Sequence, residues 1–203
     1  MLIIPSIDGN NLAKCSSISR VLRGFVSLIN LRIDKSSVNL EELIRLFNKQ
    51  NFELELSFNS ENDQEILTKI LTAHSDVNIG KVYFYSNNEN NIEQDITNVR
   101  IFGIQPGLLI NDLNYKKGAI VNKFEYSTIN TLLTPNYIEV YKHVKENNYK
   151  GNLFLDFTNQ VIDEKEIKEY SWVDGIYFDV TNNPRIKDTV SLYRRTANSI
   201  YFN

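Results

Sequence analysis

Short apolar runs rich in β-branched and aromatic residues alternate along this chain with segments whose apolar residues return every three or four positions. Leu2 to Asp8, Phe25 to Asp34, Phe52 to Phe58, Lys81 to Asn87, Val99 to Gln105, Gly118 to Glu125, Gly151 to Phe157, Gly175 to Val180 and Ser199 to Phe202 read as strands. Val38 to Gln50 sets Leu40, Leu43, Ile44 and Phe47 on one helical face, with Asn39 as a cap before Glu41 and Glu42. Glu61 to Ala73 repeats that spacing with Ile66, Leu67, Ile70 and Leu71. Pro135 to Asn147 follows Thr134, a cap with proline at the first helical position, and Asp163 to Tyr170 is a shorter helix with an acidic start.

Strands alternating with helices imply parallel βαβ units, so the class is α/β. Eight or nine strands favour a shortened or degenerate (β/α)8 TIM-type barrel, one domain over residues 1–203, rather than an open sheet. About 200 residues is the lower limit for that fold, so some helices must be short or missing. Leu12 to Leu22, with Cys15-Ser16-Ser17 and Ser19, reads as less than a full helix; Glu89 to Thr97 has room for two turns, and Pro106 to Lys117 reads as a loop. Phe52, Leu54, Leu56 and Phe58 share one face of their strand, against Glu53, Glu55 and Ser57. Either those carboxylates point into a polar lumen or the strand is exposed on one side. The expected core is Ile3, Ile7, Leu28, Leu31, Leu54, Leu56, Val82, Phe84, Leu153, Leu155, Ile176 and Phe178.

Charge and composition narrow the function. With 22 Lys plus Arg against 25 Asp plus Glu, a net charge of -3 leaves no basic excess, so nucleic acid is not an expected partner. No apolar run approaches the roughly 18 residues of a membrane span, and the opening residues lack the features of a signal peptide, so a cytoplasmic location is expected. One cysteine, Cys15, and two histidines, His74 and His143, cannot assemble a Cys/His zinc site, leaving only carboxylates as metal ligands. The 27 Asn residues mark loops.

Four aspartates stand where strands end: Asp8, Asp34, Asp156 and Asp179. Strand C-termini form the active-site face of a βα barrel, which makes these the candidates for acid–base chemistry; the competing reading is that each caps the turn that follows it. Cys15, Ser16 and Ser17 lack a glycine-flanked elbow or a histidine partner, and the two histidines fall on helix patterns. Gly103 and Gly107 match no phosphate-loop spacing.

The opening Ile3-Ile4-Pro5-Ser6-Ile7-Asp8, followed by Gly9-Asn10-Asn11-Leu12-Ala13-Lys14, resembles the first strand of the phosphoribosyl isomerases of histidine biosynthesis, which are βα barrels. Leu28 to Asp34 resembles the second strand, Thr134 to Val140 the stretch after the sixth, and Lys165 to Ile176 the approach to the eighth. The resemblance implies an Amadori-type isomerisation of an aminoaldose to an aminoketose, with acids at the ends of strands one and five. Asp8 matches the first. The fifth candidate strand ends at Ile104-Gln105, so Asp156 or Asp34 is the expected relocated acid. Where the family carries consecutive glycines for phosphate, this chain has Ser57-Phe58-Asn59-Ser60 and Phe157-Thr158-Asn159-Gln160. Thr158, Asn159, Thr181 and Asn182, with Arg32, are the expected phosphate ligands.

Two functions follow. One is an isomerase acting on a sugar phosphate without a cofactor; the other is a barrel without catalysis that serves as a binding or assembly subunit, with a protein partner or a second copy of itself. The carboxylate-rich rim also raises the expectation of a divalent cation.

Overall fold

The computed structural model describes residues 1–33, 40–58, 78–85, 92–111, 114–157 and 160–200. Eight parallel strands close a barrel in sequence order: β1 Leu2–Asp8, β2 Leu28–Ile33, β3 Glu53–Phe58, β4 Ile79–Phe84, β5 Gln105–Ile110, β6 Tyr126–Asn130, β7 Asn152–Phe157 and β8 Gly175–Asp179. The described helices are α1 Leu12–Leu22, α2 Leu40–Asn48, α3 Ile92–Arg100, α4 Gly118–Val121, α5 Tyr137–Glu146, α6 Glu164–Glu169 and α7 Ile186–Ser199. The architecture is the (β/α)8 barrel expected from the alternation. None of the described helices is long and apolar enough to cross a membrane.

Period-two alternation divides each strand between two cores. Outward residues such as Ile3, Ile7, Leu31, Leu54, Leu56, Val82, Leu153, Leu155, Ile176 and Phe178 pack under the helices, and every expected core residue is buried except the half-buried Leu28. Inward residues form a second cluster of Ile4, Tyr83, Tyr85, Leu109, Phe154 and Tyr177. The lumen is polar on the β1 to β4 side, where Ser6, Asn30, Arg32, Glu55 and Ser57 are buried. This settles the alternatives left by β3: Glu55 is fully buried. Its carboxylate accepts from Lys81 Nζ at 2.5 Å and from the Tyr177 hydroxyl at 2.5 Å, and Tyr177 lies 2.9 Å from the Tyr83 hydroxyl. Register places Lys81 beside Glu55, while Tyr177 reaches across from β8. A carboxylate inside protein requires such partners, since leaving its charge unanswered costs several kcal/mol.

Several segments differ from the sequence reading. Val99 to Gln105 is not a strand: Ile92, Ile96 and Val99 are buried at helical spacing on α3, and β5 follows it through Pro106 and Gly107. The proline falls at the strand's second residue, and a Cβ at Gly107 would collide with the Tyr83 ring, so here glycine serves lumen packing rather than a turn. Pro106 to Lys117 therefore opens as strand, not loop. Gly118 to Glu125 holds the short α4 instead of a strand, because an apolar run as brief as Ala119-Ile120-Val121 has no readable period. Ser199 closes α7, whose Ile186, Val190, Tyr193 and Ala197 are buried at helical spacing, rather than starting a strand.

Leu12 to Leu22 is a full helix capped by the Asn11 side chain. Ser17 and Ser19 bond to carbonyls three residues back, so their hydroxyls do not break it. Thr134 does not cap the helix after it: α5 starts at Tyr137, and the Thr134 hydroxyl is buried without a partner. Asp163 caps α6 in a capping box with Glu166. The helix expected over Glu61 to Ala73, the cap Asn39 and His74 lie outside the described residues.

Burial pushes the Tyr83 and Tyr177 hydroxyls well above the ordinary phenol value. The Glu55 charge adds to this at Tyr83, and Tyr83 together with Glu55 adds to it at Tyr177. An unfolded chain ionises these phenols near pH 10 and the native barrel does not, so their contribution is intact below about pH 10 and is lost as pH rises past it. Titration of the 11 tyrosines by absorbance near 295 nm should therefore show an exposed set ionising near pH 10 and a remainder ionising only on cooperative unfolding. One smooth titration of all of them in folded protein would contradict this account. Tyr177→Phe, which strips a donor from buried Glu55, should cost about 1–3 kcal/mol in urea unfolding.

Candidate functional site

Asp8 is the last residue of β1 and is partly exposed at the C-terminal rim. Its Oδ1 accepts the Asn10 N–H at 3.0 Å, the capping role weighed for it, while among the described residues Oδ2 has no hydrogen-bond partner. Its own N–H donates to Thr181 Oγ1 at 2.9 Å, and the Thr181 N–H donates to Asp179 Oδ1 at 2.7 Å. Thr181 thus staples the ends of β1 and β8, holding both carboxylates in place.

Arg32 is the register partner of Asp8 and faces the lumen below the rim. Its side chain is 4% exposed, with Nη2 3.0 Å from Asp179 Oδ2 in an ion pair too poorly aligned to count as a hydrogen bond. Nη1 donates to Ser6 Oγ at 2.9 Å, Ser6 donates to Asn30 Oδ1 at 2.8 Å, and Asn30 Nδ2 donates to Ser57 Oγ at 2.8 Å. The structure therefore sets Arg32 among buried carboxylate and hydroxyl groups, below the connection after β8 that carries Thr181 and Asn182.

Asp156, next to last in β7, is buried and accepts from Asn130 Nδ2 at 3.2 Å. Burial, and after it the Asp156 charge, raises the Tyr85 hydroxyl to about 12, so Tyr85 stays protonated. Thr131 ties the neighbouring loops together, its Oγ1 within 3.1 Å of both the Asp156 carbonyl and Gln160 Oε1.

Beside this rim, after β7 and β8, lies a cavity of about 520 Å³ lined by Gln160, Asp179, Asn182, Asn183, Arg185 and Thr189 over walls of Phe178 and Tyr193. It opens at the start of α7, where first-turn N–H groups favour negative charge. Asn183 orders the turn by accepting the Arg185 N–H at 2.8 Å and donating to Thr189 Oγ1 at 2.9 Å. Asn182 accepts from Lys14 Nζ at 2.6 Å.

Of the residues singled out by sequence, Asp8, Arg32, Asp179 and Thr181 come together, Asn182 lines the adjoining cavity, and Asp156 stands with Tyr85 and Asn130. Asp34, Thr158 and Asn159 lie outside the described residues. Gln160, Asn183, Arg185 and Tyr85 were missed; the only available signal was their place in or just after strand ends. Among the described residues, no three metal-ligating side chains gather closely enough to hold a cation. Cys15 is buried under the rim, where burial and then the Asp8 charge push its thiol up to about 11, and His143 packs edge-on to Tyr115.

No family model and no curated protein matches the chain. Solved structures do. A single-substitution variant of the tryptophan synthase α-subunit from the hyperthermophile Pyrococcus furiosus aligns with a TM-score of 0.70 at 9% identity, over 100% of this chain and 98% of that one. A second variant gives 0.70 at 8% identity over the same shares. A further α-subunit structure from that organism gives 0.68 at 8%. At such identity the likeness is one of fold: a complete βα barrel of the same extent.

Cys15 should react with thiol reagents far more slowly than an exposed thiol at pH 8, and Cys15→Ser should leave ligand binding at the rim unchanged. Fast labelling in folded protein would show that the rim opens over α1.

Proposed function

We propose that the protein binds a phosphorylated sugar at the C-terminal rim and isomerises it by proton transfer, with Asp8 as base. The carrying observation is the assembly of Asp8, Thr181, Asp179 and Arg32 at the lip of a cavity whose position, after strands seven and eight and at a helix start, is where βα barrels commonly take phosphate. In this reading the phosphate is held by Arg185, the Asn182 and Asn183 amides and the first turn of α7. Thr158, Asn159 and Thr181 complete the set carried over from the sequence.

With the phosphate anchored, the sugar's carbonyl end lies over the lumen mouth. Asp8 Oδ2 takes the proton from the carbon next to the carbonyl or imine, the C–H electrons form the carbon–carbon double bond, and the acid protonates the carbonyl oxygen or imine nitrogen to give the enediol or enaminol. Asp8 then returns its proton to the former carbonyl or imine carbon while the adjacent hydroxyl gives its own back to the acid, leaving the ketose or aminoketose. Asp156, hydrogen-bonded to Asn130 and close enough to Tyr85 for its charge to act there, is the proposed acid, with Asp34 as the alternative. β5 ends at Ile110 rather than at Gln105, and the sequence continues Asn111-Asp112, an acid outside the described residues. The aminoaldose of histidine biosynthesis is the substrate that the sequence resemblance favours.

An assembly role without catalysis draws on Leu132, Leu133 and Ile138, exposed apolar side chains between β6 and the first turn of α5. One experiment separates the readings. Phosphorylated aldoses and aminoaldoses are incubated with the protein in D2O and followed by NMR. The isomerase reading expects deuterium at the carbon beside the carbonyl and conversion to the ketose, reduced at least about 100-fold by Asp8→Asn. Absence of exchange and conversion across the panel, or full activity in folded Asp8→Asn protein, would overturn it.

A further inference from the structure

At the opposite, N-terminal end of the barrel lies a second cavity, of about 540 Å³, between the α1–β2 and α2–β3 connections. Arg23, Phe25, Ser27, Gln50, Asn51 and Arg194 line it. The Arg23 side chain makes no ion pair or hydrogen bond among the described residues, its backbone N–H alone donating to the Ser19 carbonyl, and Arg194 spends only Nη1, on the Phe25 carbonyl at 3.2 Å. The Arg194 guanidinium and Lys187 Nζ each lie 5.9 Å from the centre of the Phe25 ring, which concentrates a third cation beside the same hollow. Gln50 adds a separate signal: its Oε1 is buried without any hydrogen-bond partner. An acceptor left in that state asks for a donor.

The bland alternative is that these cations only balance the ends of α1 and α2, which finish at this cavity. The amounts decide against it. Two helix C-termini supply roughly half a negative charge each, whereas Arg23, Arg194 and Lys187 are three full positive charges. About two positive charges remain unanswered, Arg23 and Arg194 lining the concavity and Lys187 beside its Phe25 wall, next to an acceptor that no described group satisfies.

We propose that this cavity binds a phosphomonoester or similar oxyanion that also carries a hydroxyl. Arg23 and Arg194 hold the anionic oxygens through charge-assisted hydrogen bonds, the Phe25 ring forms the floor, and Gln50 Oε1 accepts from the hydroxyl or from a protonated phosphate oxygen. The site is separate from the rim and does not depend on the rim being catalytic.

Inorganic phosphate and pyrophosphate serve as probes, titrated calorimetrically into the whole chain at low salt, with thermal melting in parallel. Arg23→Ser and Arg194→Gln should each weaken pyrophosphate binding at least tenfold, while Arg185→Ala, at the rim, leaves this binding in place. Made in the Arg185→Ala background, which lacks the rim cation, Gln50→Glu supplies an internal counter-ion: it should abolish the remaining pyrophosphate binding, raise the melting temperature at low salt and remove the stabilisation that added phosphate gives Arg185→Ala protein. Equal affinity in wild type, Arg23→Ser and Arg194→Gln would overturn the proposal. So would binding lost only in Arg185→Ala, or no binding at millimolar probe.

Discussion

Closing eight strands around a lumen that contains charges imposes one condition on everything else: each buried charge must be answered inside the barrel. Glu55 on β3 is answered by Lys81 on β4 and Tyr177 on β8; Arg32 on β2 is answered by Asp179 on β8 and Ser6 on β1. Both sets tie β8 to strands that register alone does not place beside it. The apolar half of the lumen completes the packing, with Tyr177 edge-on to Tyr83 at 5.9 Å and tilted against Phe154 at 5.4 Å. Removing one member of such a pair leaves an uncompensated charge, which is far more damaging than removing both.

The same condition shapes the rim. Because Asp179 is committed to Arg32 and to the Thr181 N–H, it is a support rather than a free acid. Asp8 is in a different position, since one of its oxygens caps a turn and the other has no hydrogen-bond partner among the described residues. Thr181 then couples the two, so that the order imposed by the buried ion pair reaches the carboxylate proposed to move a proton. The proposed phosphate site needs no glycine loop, since side-chain amides, Arg185 and the start of α7 line the cavity with donors.

Much of this was legible in sequence where a period existed. The strand ends at Asp8, Asp156 and Asp179 follow from alternation, and the same alternation on β3 set Glu55 apart from its apolar neighbours. The failures fall where local signals conflict with tertiary packing. Pro106 and Gly107 read as punctuation, yet Gly107 is small because the Tyr83 ring lies over it. Serines in α1 weakened the helix signal, although Ser17 and Ser19 are satisfied by carbonyls within the helix. Arg185, Gln160 and Asn183 stand in connections without a period, and the pairing of Arg32 with Asp179 joins opposite ends of the sequence. No local pattern carries that information.

The dependence of the rim on internal charge pairing is tested most directly by a double-mutant cycle on Arg32 and Asp179, read as unfolding free energy. Arg32→Leu and Asp179→Leu are each expected to cost about 3–5 kcal/mol, and the double substitution less than either. Single substitutions that cost little, or a double that costs the sum of the two, would show that the pair does not hold the barrel mouth together.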